Sequence, residues 1–491
     1  RAGEEPGCDG VQDGPSVMVE PPSDATPPVA SAALVLTPLS HAVTTHAVHC
    51  APSNDEDCPA TAAGVGVDAS AAPAVANVAL VLARPSVNLA TRAFGATARR
   101  YWNTTRTRGD ALEGLAYWSD NQAGYSWWSV GPDQTVWGVP EDIYATLKQG
   151  YDAAGLRIRA WEPDNNFVVR FDDPKNWNGV DLTKFNETLY PSGGPGFWTK
   201  MSAAHPDEPL SMIYYTNGFV DPCDGPCKDY EMVSCNGGLE PHPNASHDFH
   251  KDLMTSMQAF GLGMLFTDFL CYRGPGMAAY TDLEEGENGE HLWLAGIATA
   301  ALELGVEVQF CMALAHQILA TLEWPSVTNA RINGDGGLAV QDLPLPALLA
   351  GVLGLGWSKD NLWTADRCYV NATKPDGSLL YDCDKDLNNN ERVSGEFKLQ
   401  RQQTALAALS LGPVGLADQL SGRPEDADVA ITTNVQLANA TCDASGMLLG
   451  PSFPLTPGER TAIGSGGAGD CFTDATHRSY TWGCGVHVWA T

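Results

Sequence analysis

Between residues 96 and 427, short apolar runs ending in polar residues alternate with stretches of helical periodicity. That alternation limits the fold more than any other feature of the chain. A short apolar run bounded by glycine reads as a strand buried on both faces, the kind found in parallel sheets. Leu262-Gly263-Met264-Leu265-Phe266-Thr267-Asp268 has this design, with one carboxylate at its C-terminal end. Ser326 to Asp335 repeats it, with Gly334, Gly336 and Gly337 opening the backbone around Asp335. Leu115-Ala116-Tyr117-Trp118 leads into Ser119-Asp120-Asn121-Gln122, and Leu156 to Ala160 delivers Trp161, Glu162, Asp164 and Asn165. Leu210 to Tyr215 delivers Thr216 and Asn217, and Val306 to Phe310 delivers Gln309, Cys311 and Met312. Leu348 to Leu355 with Trp357 supplies a seventh strand, and Leu406 to Leu411 an eighth.

Helical patterns lie between these runs. Pro140 sits at a first helical turn, with Glu141 and Asp142 at the positive dipole end and Ile143, Leu147 and Tyr151 on one face. Ser246 caps a helix whose Phe249, Leu253, Met257 and Phe260 form one stripe. Further helices are expected around Trp293 to Leu304 and His316 to Leu322. Eight strand–helix units predict an α/β fold, a (βα)8 or TIM barrel over 96–427. Residues 1–95 read as an N-terminal β-sandwich-like domain, from Val/Ala/Leu runs at Ser31 to Thr37 and Val75 to Ala83. Residues 428–491 read as a C-terminal β-rich segment, incomplete, because the chain stops abruptly at Val488-Trp489-Ala490-Thr491. Arg1 opens a polar, proline-rich stretch, which suggests a leader already removed. The longest apolar run, Leu343 to Trp357, contains Pro344 and Pro346 and is too short to span a bilayer.

Composition narrows the partners. Asp plus Glu number 59 against 28 Lys plus Arg, a net charge of −31. Nucleic acids and anionic membranes select basic patches, so so acidic a surface excludes them and suits neutral ligands such as carbohydrate. The 13 cysteines cluster (Cys50 and Cys58; Cys223, Cys227 and Cys235; Cys368 and Cys383; Cys442, Cys471 and Cys484) as disulfide-closed loops would. The zinc alternative at Cys223 and Cys227 lacks a second close pair. Five glycosylation sequons begin at Asn103, Asn186, Asn244, Asn371 and Asn439. Together these predict a secreted or cell-surface protein.

Two carboxylates on two strand ends suit acid/base work on a glycosidic bond. At this point a resemblance is visible. Leu115 to Asn121 looks like the first barrel strand of glycoside hydrolases related to α-galactosidases and raffinose synthases. Arg331-Ile332-Asn333-Gly334-Asp335 resembles the motif at their sixth strand, and Leu411-Gly412-Pro413-Val414-Gly415-Leu416-Ala417-Asp418 resembles their closing strand and turn. The resemblance implies a (βα)8 barrel with flanking β-domains and a retaining mechanism. It also implies a nucleophile after the fourth strand and an acid/base after the sixth, matching Asp268 and Asp335. Where α-galactosidases carry Lys-Trp before the nucleophile, this chain has Phe266-Thr267, which leaves the choice of sugar open.

Asp120, Trp161, Glu162, Asp164, Asn217, Gln309 and Arg331 are expected to line the same mouth. Carboxylates and amides hydrogen-bond sugar hydroxyls, and an aromatic face stacks on a pyranose. Glu162 is the best rival for a catalytic role, and Arg331 could instead hold Asp335 in a structural pair. Asp382, Asp384, Asp386 and Asn388 alternate oxygen ligands but lack the glycine and glutamate of an EF-hand, so calcium there competes with a plain solvated loop. His242, His247 and His250 are read as surface and helix start rather than as metal ligands. The leading expectation is a secreted, retaining glycoside hydrolase or transglycosidase needing no organic cofactor. Its rival is a catalytically inactive glycan-binding or structural glycoprotein assembled with other extracellular glycoproteins. A metal-dependent hydrolase using the histidines is the third.

Overall fold

The computed structural model describes chiefly residues 87–119, 140–164, 190–203, 210–219, 225–280 apart from 236, 288–332, 344–358, 400–417 and 438–450, with isolated short strands elsewhere. The first five strands are β1 (Ser16–Glu20), β2 (Ala32–Pro38), β3 (Thr45–His49), β4 (Ala63–Val67) and β5 (Val78–Ala83). They form an antiparallel sheet in the order β1-β2-β5 and an antiparallel β3-β4 pair. Helix α1 (Val87–Trp102) follows, so the expected boundary at 95/96 falls inside a helix. Gly95 lies where an added Cβ would come 2.0 Å from the Val352 carbonyl oxygen, so α1 packs directly on the barrel's helical layer.

The barrel begins with α2 (Asp110–Glu113) and β6 (Leu115–Trp118), then α3 (Pro140–Ala153) and β7 (Ala160–Glu162). A hairpin of β8 (Val168–Val169) and β9 (Asp181–Phe185) precedes α4 (Gly193–Ser202) and β10 (Ser211–Thr216). A second hairpin, β11 (Met232–Cys235) with β12 (Gly238–Pro241), precedes α5 (Ser246–Gln258) and β13 (Leu262–Thr267). There follow α6 (Leu270–Ala278), α7 (Gly289–Leu304), β14 (Glu307–Phe310), α8 (Ala315–Ala320) and β15 (Val327–Arg331). The circuit closes with α9 (Pro344–Val352), β16 (Gly356–Ser358), β17 (Asn361–Leu362), α10 (Gln400–Ala408) and β18 (Val414–Leu416).

The large sheet runs β16-β15-β14-β13-β10-β7-β6-β18-β17, with every pairing parallel. β16 pairs with β15, β17 pairs with β18, and Trp357 bridges Leu411, so these two short strands share one position and the sheet returns on itself. That is a (βα)8 barrel of eight strand positions.

Two expected strands sit elsewhere. Leu348 to Leu355 is mostly helix α9 and Leu406 to Leu411 starts within the end of α10; the seventh position belongs to Gly356–Ser358 with Asn361–Leu362 and the eighth to Val414–Leu416. Leucine and alanine favour helix, and a proline at the first helical position costs nothing, so the run after Pro344 coils rather than extends. Ser246 also differs from expectation. It is the first helical residue rather than the cap, and its hydroxyl donates to the Trp293 carbonyl on α7 at 2.8 Å.

Contacts between strands that are not neighbours identify the inside of the barrel. Trp118 on β6 meets Phe266 on β13 at 5.9 Å between ring centroids, and the Asn329 amide on β15 reaches the Met264 sulfur on β13 at 3.6 Å. Gly415 on β18 makes room for this packing, since a Cβ there would lie 2.5 Å from the Trp118 ring. Outward-facing residues pack under the helices: Tyr117 lies against Tyr144 and Tyr151 of α3. At the N-terminal end, α2 lies against β7, β10 and β13 and plugs the barrel. Residues 438–450 close on the same rim rather than standing apart, with Met447 bridging Gly114 and the Leu115 amide donating to the Gly446 carbonyl at 2.7 Å. The only other described C-terminal structure is the short pair β19 (Thr456–Pro457) with β20 (Trp489–Ala490).

Candidate active site

Asp268 follows β13, the fourth barrel strand, at the open C-terminal end, and is 7% exposed. Its amide donates to the Thr216 carbonyl at 2.8 Å, which ties it to the end of the neighbouring β10. Each carboxylate oxygen has one donor. The Tyr215 phenol donates to Oδ2 at 2.9 Å, and the Phe269 amide to Oδ1 at 2.7 Å. Phe269 is left-handed, with φ 55°, which turns the chain sharply from strand into α6. The helix has Phe269 at its N-cap and no side-chain cap, so the Asp268 carboxylate is not spent on capping α6.

Strain recurs at this rim. Asp164 after β7 and Met312 after β14 also have positive φ, 47° and 48°. For a non-glycine residue this costs about 1 kcal/mol or more, and such outliers concentrate where surrounding packing over-determines a site. The support lies behind Asp268. Arg273 on α6 is buried and paired bidentately with buried Glu240 on β12, at 2.6 and 3.0 Å. Its Nη1 also donates to the Asp268 carbonyl and the Thr267 hydroxyl at 3.1 Å, and to the Thr216 carbonyl at 3.3 Å. Its guanidinium lies 4.8 Å over the Trp293 ring. One cation thus fastens the ends of the third and fourth strands to the hairpin and to α7.

Of the other expected residues, several converge with Asp268. Glu162 ends β7 in register with Trp118, is fully buried, and accepts from the Ser119 amide at 3.3 Å. Asp164 is buried two residues on, close enough for its charge to act on the Tyr215 phenol. Burial comes first among the forces that raise the Tyr215 phenol well above its usual range, followed by the facing charges of Asp268 and Asp164, so it stays protonated and donates. Asn217 is buried just beyond β10. Gln309 shares the register level of Phe266 and Asn329, inside the barrel and fully buried. Arg331 is the last residue of β15 and buried.

Trp161 is a correction. It packs outward against Tyr117 at 5.3 Å and Tyr144 at 5.9 Å, under α3, because successive strand residues face opposite ways and its neighbour Glu162 takes the inside. Asp120 and Asp335 lie outside the described residues, as do Asp382, Asp384 and Asp386. Tyr215, Arg273 and Glu240 were missed by sequence reasoning. Tyr215 had a usable signal, since it stands two residues before Asn217 and so shares its face.

Among the sequons, Asn103, Asn244 and Asn439 are exposed, while Asn186 and Asn371 lie outside the described residues. Cys227 and Cys271 are disulfide-bonded. Cys235 and Cys442 carry free, buried thiols, so they leave the loops expected to be closed by disulfides; burial pushes Cys235 up to about 12. His250 is buried, its Nδ1 2.7 Å from the Ser246 carbonyl, and burial lowers it to about 3, which keeps the ring neutral. Among the described residues no three of His, Cys, Asp or Glu gather as metal ligands do, and no helix is long and apolar enough to cross a membrane.

No family model matches this chain, and no curated protein matches its sequence. Solved structures do. The alpha-N-acetylgalactosaminidase NagBb from Bifidobacterium bifidum is 11% identical, with 86% of this chain covered, 66% of that one, and a TM-score of 0.48. The alpha-galactosidase from Lactobacillus brevis is 11% identical over 83% of this chain and 52% of that one, with a TM-score of 0.49. The GH36 alpha-galactosidase AgaA from Geobacillus stearothermophilus is 10% identical over 88% and 56%, with a TM-score of 0.47. The chain therefore spans about half to two thirds of the length of these proteins. The barrel assignment stands on the closed parallel sheet itself.

Proposed function

We propose that this protein is a secreted, retaining glycoside hydrolase or transglycosidase acting on α-glycosides, with Asp268 as nucleophile and Asp335 as acid/base. The observation that carries the reading is Asp268 itself. It stands buried at the open end of the fourth strand, with both oxygens held by neutral donors and its backbone fixed from behind by Arg273. In the first step the carboxylate bonds to the anomeric carbon as the glycosidic C–O bond breaks, and the leaving oxygen takes the proton of Asp335. In the second, Asp335 takes a proton from water, or from a sugar hydroxyl in transfer. That oxygen attacks the anomeric carbon and Asp268 departs. Retention by this route sets the two carboxyl groups about 5–5.5 Å apart. Glu162, Asp164, Asn217 and Gln309 supply polar groups toward the sugar, and exposed Asn103, Asn244 and Asn439 are the sites offered for glycans.

The test is turnover of a panel of aryl α-glycosides by the wild type and by Asp268→Asn. The expected result is product of retained anomeric configuration from the wild type and a loss of roughly 10⁴-fold in the variant, with its thermal unfolding unchanged. Absence of turnover by the wild type, with retention of a glycan on the folded protein, would favour the inactive glycan-binding reading. Loss of activity on chelation would favour a metal-dependent hydrolase.

A further inference from the structure

Asp268 lacks the neighbour that α-galactosidase-like enzymes place two residues before the nucleophile. That position holds Phe266, whose ring packs inside the barrel between Trp118 at 5.9 Å and Tyr215 at 5.3 Å. An apolar ring cannot hold a carboxylate. Arg273 reaches Asp268 at its backbone carbonyl, and Glu240 balances its charge. The group that touches the carboxylate from the interior is the Tyr215 hydroxyl, at 2.9 Å from Oδ2, on a side chain that is 4% exposed. Tyr215 and Phe266 stand opposite each other in the β10–β13 register, so the two replacements occupy one level of the barrel.

We propose that Tyr215 is a positioning residue for Asp268, a neutral donor doing at the third strand what a cation would do at the fourth, an inference that rests on the function proposed above. The phenol and the Phe269 amide hold opposite oxygens and so fix the plane of the carboxylate. The phenol transfers no proton. It donates to a full negative charge before attack and again as Asp268 leaves, and to a neutral ester oxygen in between. A donor binds the charged form more strongly, so Tyr215 holds the carboxylate in place for attack and makes it a better leaving group in the second step. Among the described residues, the titratable and charged groups shown to act on the pair are Asp164 after β7, Cys311 after β14, and the Arg273–Glu240 pair on α6 and β12. Asp164 and Asp268 both oppose ionisation of the phenol.

The experiment is Tyr215→Phe, which keeps the ring and removes the hydroxyl, with Phe266→Leu as the packing control. On an activated aryl glycoside, Tyr215→Phe is expected to lower kcat by roughly 10-fold and KM with it, because the second step slows and the glycosyl-enzyme accumulates. The steady-state fraction of enzyme carrying the glycosyl group should rise to match, read by mass spectrometry of quenched turnover. Phe266→Leu should leave that fraction, kcat and KM in place. An active wild type whose glycosyl-enzyme fraction, kcat and KM survive Tyr215→Phe unchanged would overturn this inference alone. An equal rise of that fraction in Phe266→Leu would overturn it too, by assigning the effect to packing. A wild type that turns over no glycoside would overturn the proposed function, and this inference with it.

Discussion

The two ends of the barrel hold their charges in opposite ways. At the closed end cations solvate backbone. Arg106 donates to the carbonyls of Val327, Leu353 and Thr321 at 2.7–2.8 Å, and Arg108 to that of Leu411 at 2.6 Å. The buried carboxyl of Glu307 there is raised to about 7 by burial, against the opposing pull of the Gly109 amide, the Thr328 hydroxyl and the Arg108 guanidinium. At the mouth, neutral groups donate to Glu162 and Asp268, and Arg273 pairs with Glu240. A cleft of about 300 Å³ opens between Arg108, Glu113, Leu411 and Met447 at the closed end, away from Asp268. The difference separates stability from chemistry, as barrels generally do.

Arg273 tests the mouth most severely. Arg273→Met leaves Glu240 charged and buried without its partner, which costs about 3–5 kcal/mol, whereas adding Glu240→Gln in the same chain should recover most of the loss. Urea unfolding of the single and double variants measures this. No recovery in the double variant would place the stabilisation in the arginine's bonds to carbonyls instead, making the mouth resemble the closed end.

At the closed end, Glu307 should give stability a pH dependence. Its folded value of about 7 lies above the 4.5 of an ordinary glutamate. The folded state therefore prefers the proton, and this contribution is complete below about pH 4.5 and lost as pH rises through about 7. The span is about 3 kcal/mol, at 1.36 kcal/mol per unit. Glu307→Gln should flatten the unfolding free energy between those pH values and leave the acid limb of activity where it was. Persistence of the slope in the variant would move its origin elsewhere.

The smallest expected effect comes from the outer face. Trp161→Phe should cost about 1–2 kcal/mol in stability and leave kcat/KM within about twofold, since the ring faces α3. A larger loss of activity would return Trp161 to the mouth.

These contrasts also mark how far sequence could reach. The fourth strand and its aspartate were legible because Leu262 to Thr267 is apolar without interruption and the chain turns at Asp268. The sixth was legible for similar reasons, up to Arg331. Periodicity misplaced the seventh and eighth because Leu and Ala suit helix and strand cores alike; the likeness of Leu411 to Asp418 to a closing strand did cover Val414–Leu416, while only the closure of the sheet assigns Gly356–Ser358. Trp161 and Glu162 are adjacent, so a shift of one residue in the strand's register exchanges wall and interior. Arg273 and Glu240 lie 33 residues apart in the chain, and nothing local in either segment points to the other.

The most direct measurement is trapping with a fluoro-sugar whose glycosyl-enzyme hydrolyses slowly, followed by peptide mapping. The account predicts one covalent label, on the carboxylate of Asp268. A label on Glu162 or any other carboxylate, from an enzyme that retains configuration, would contradict it.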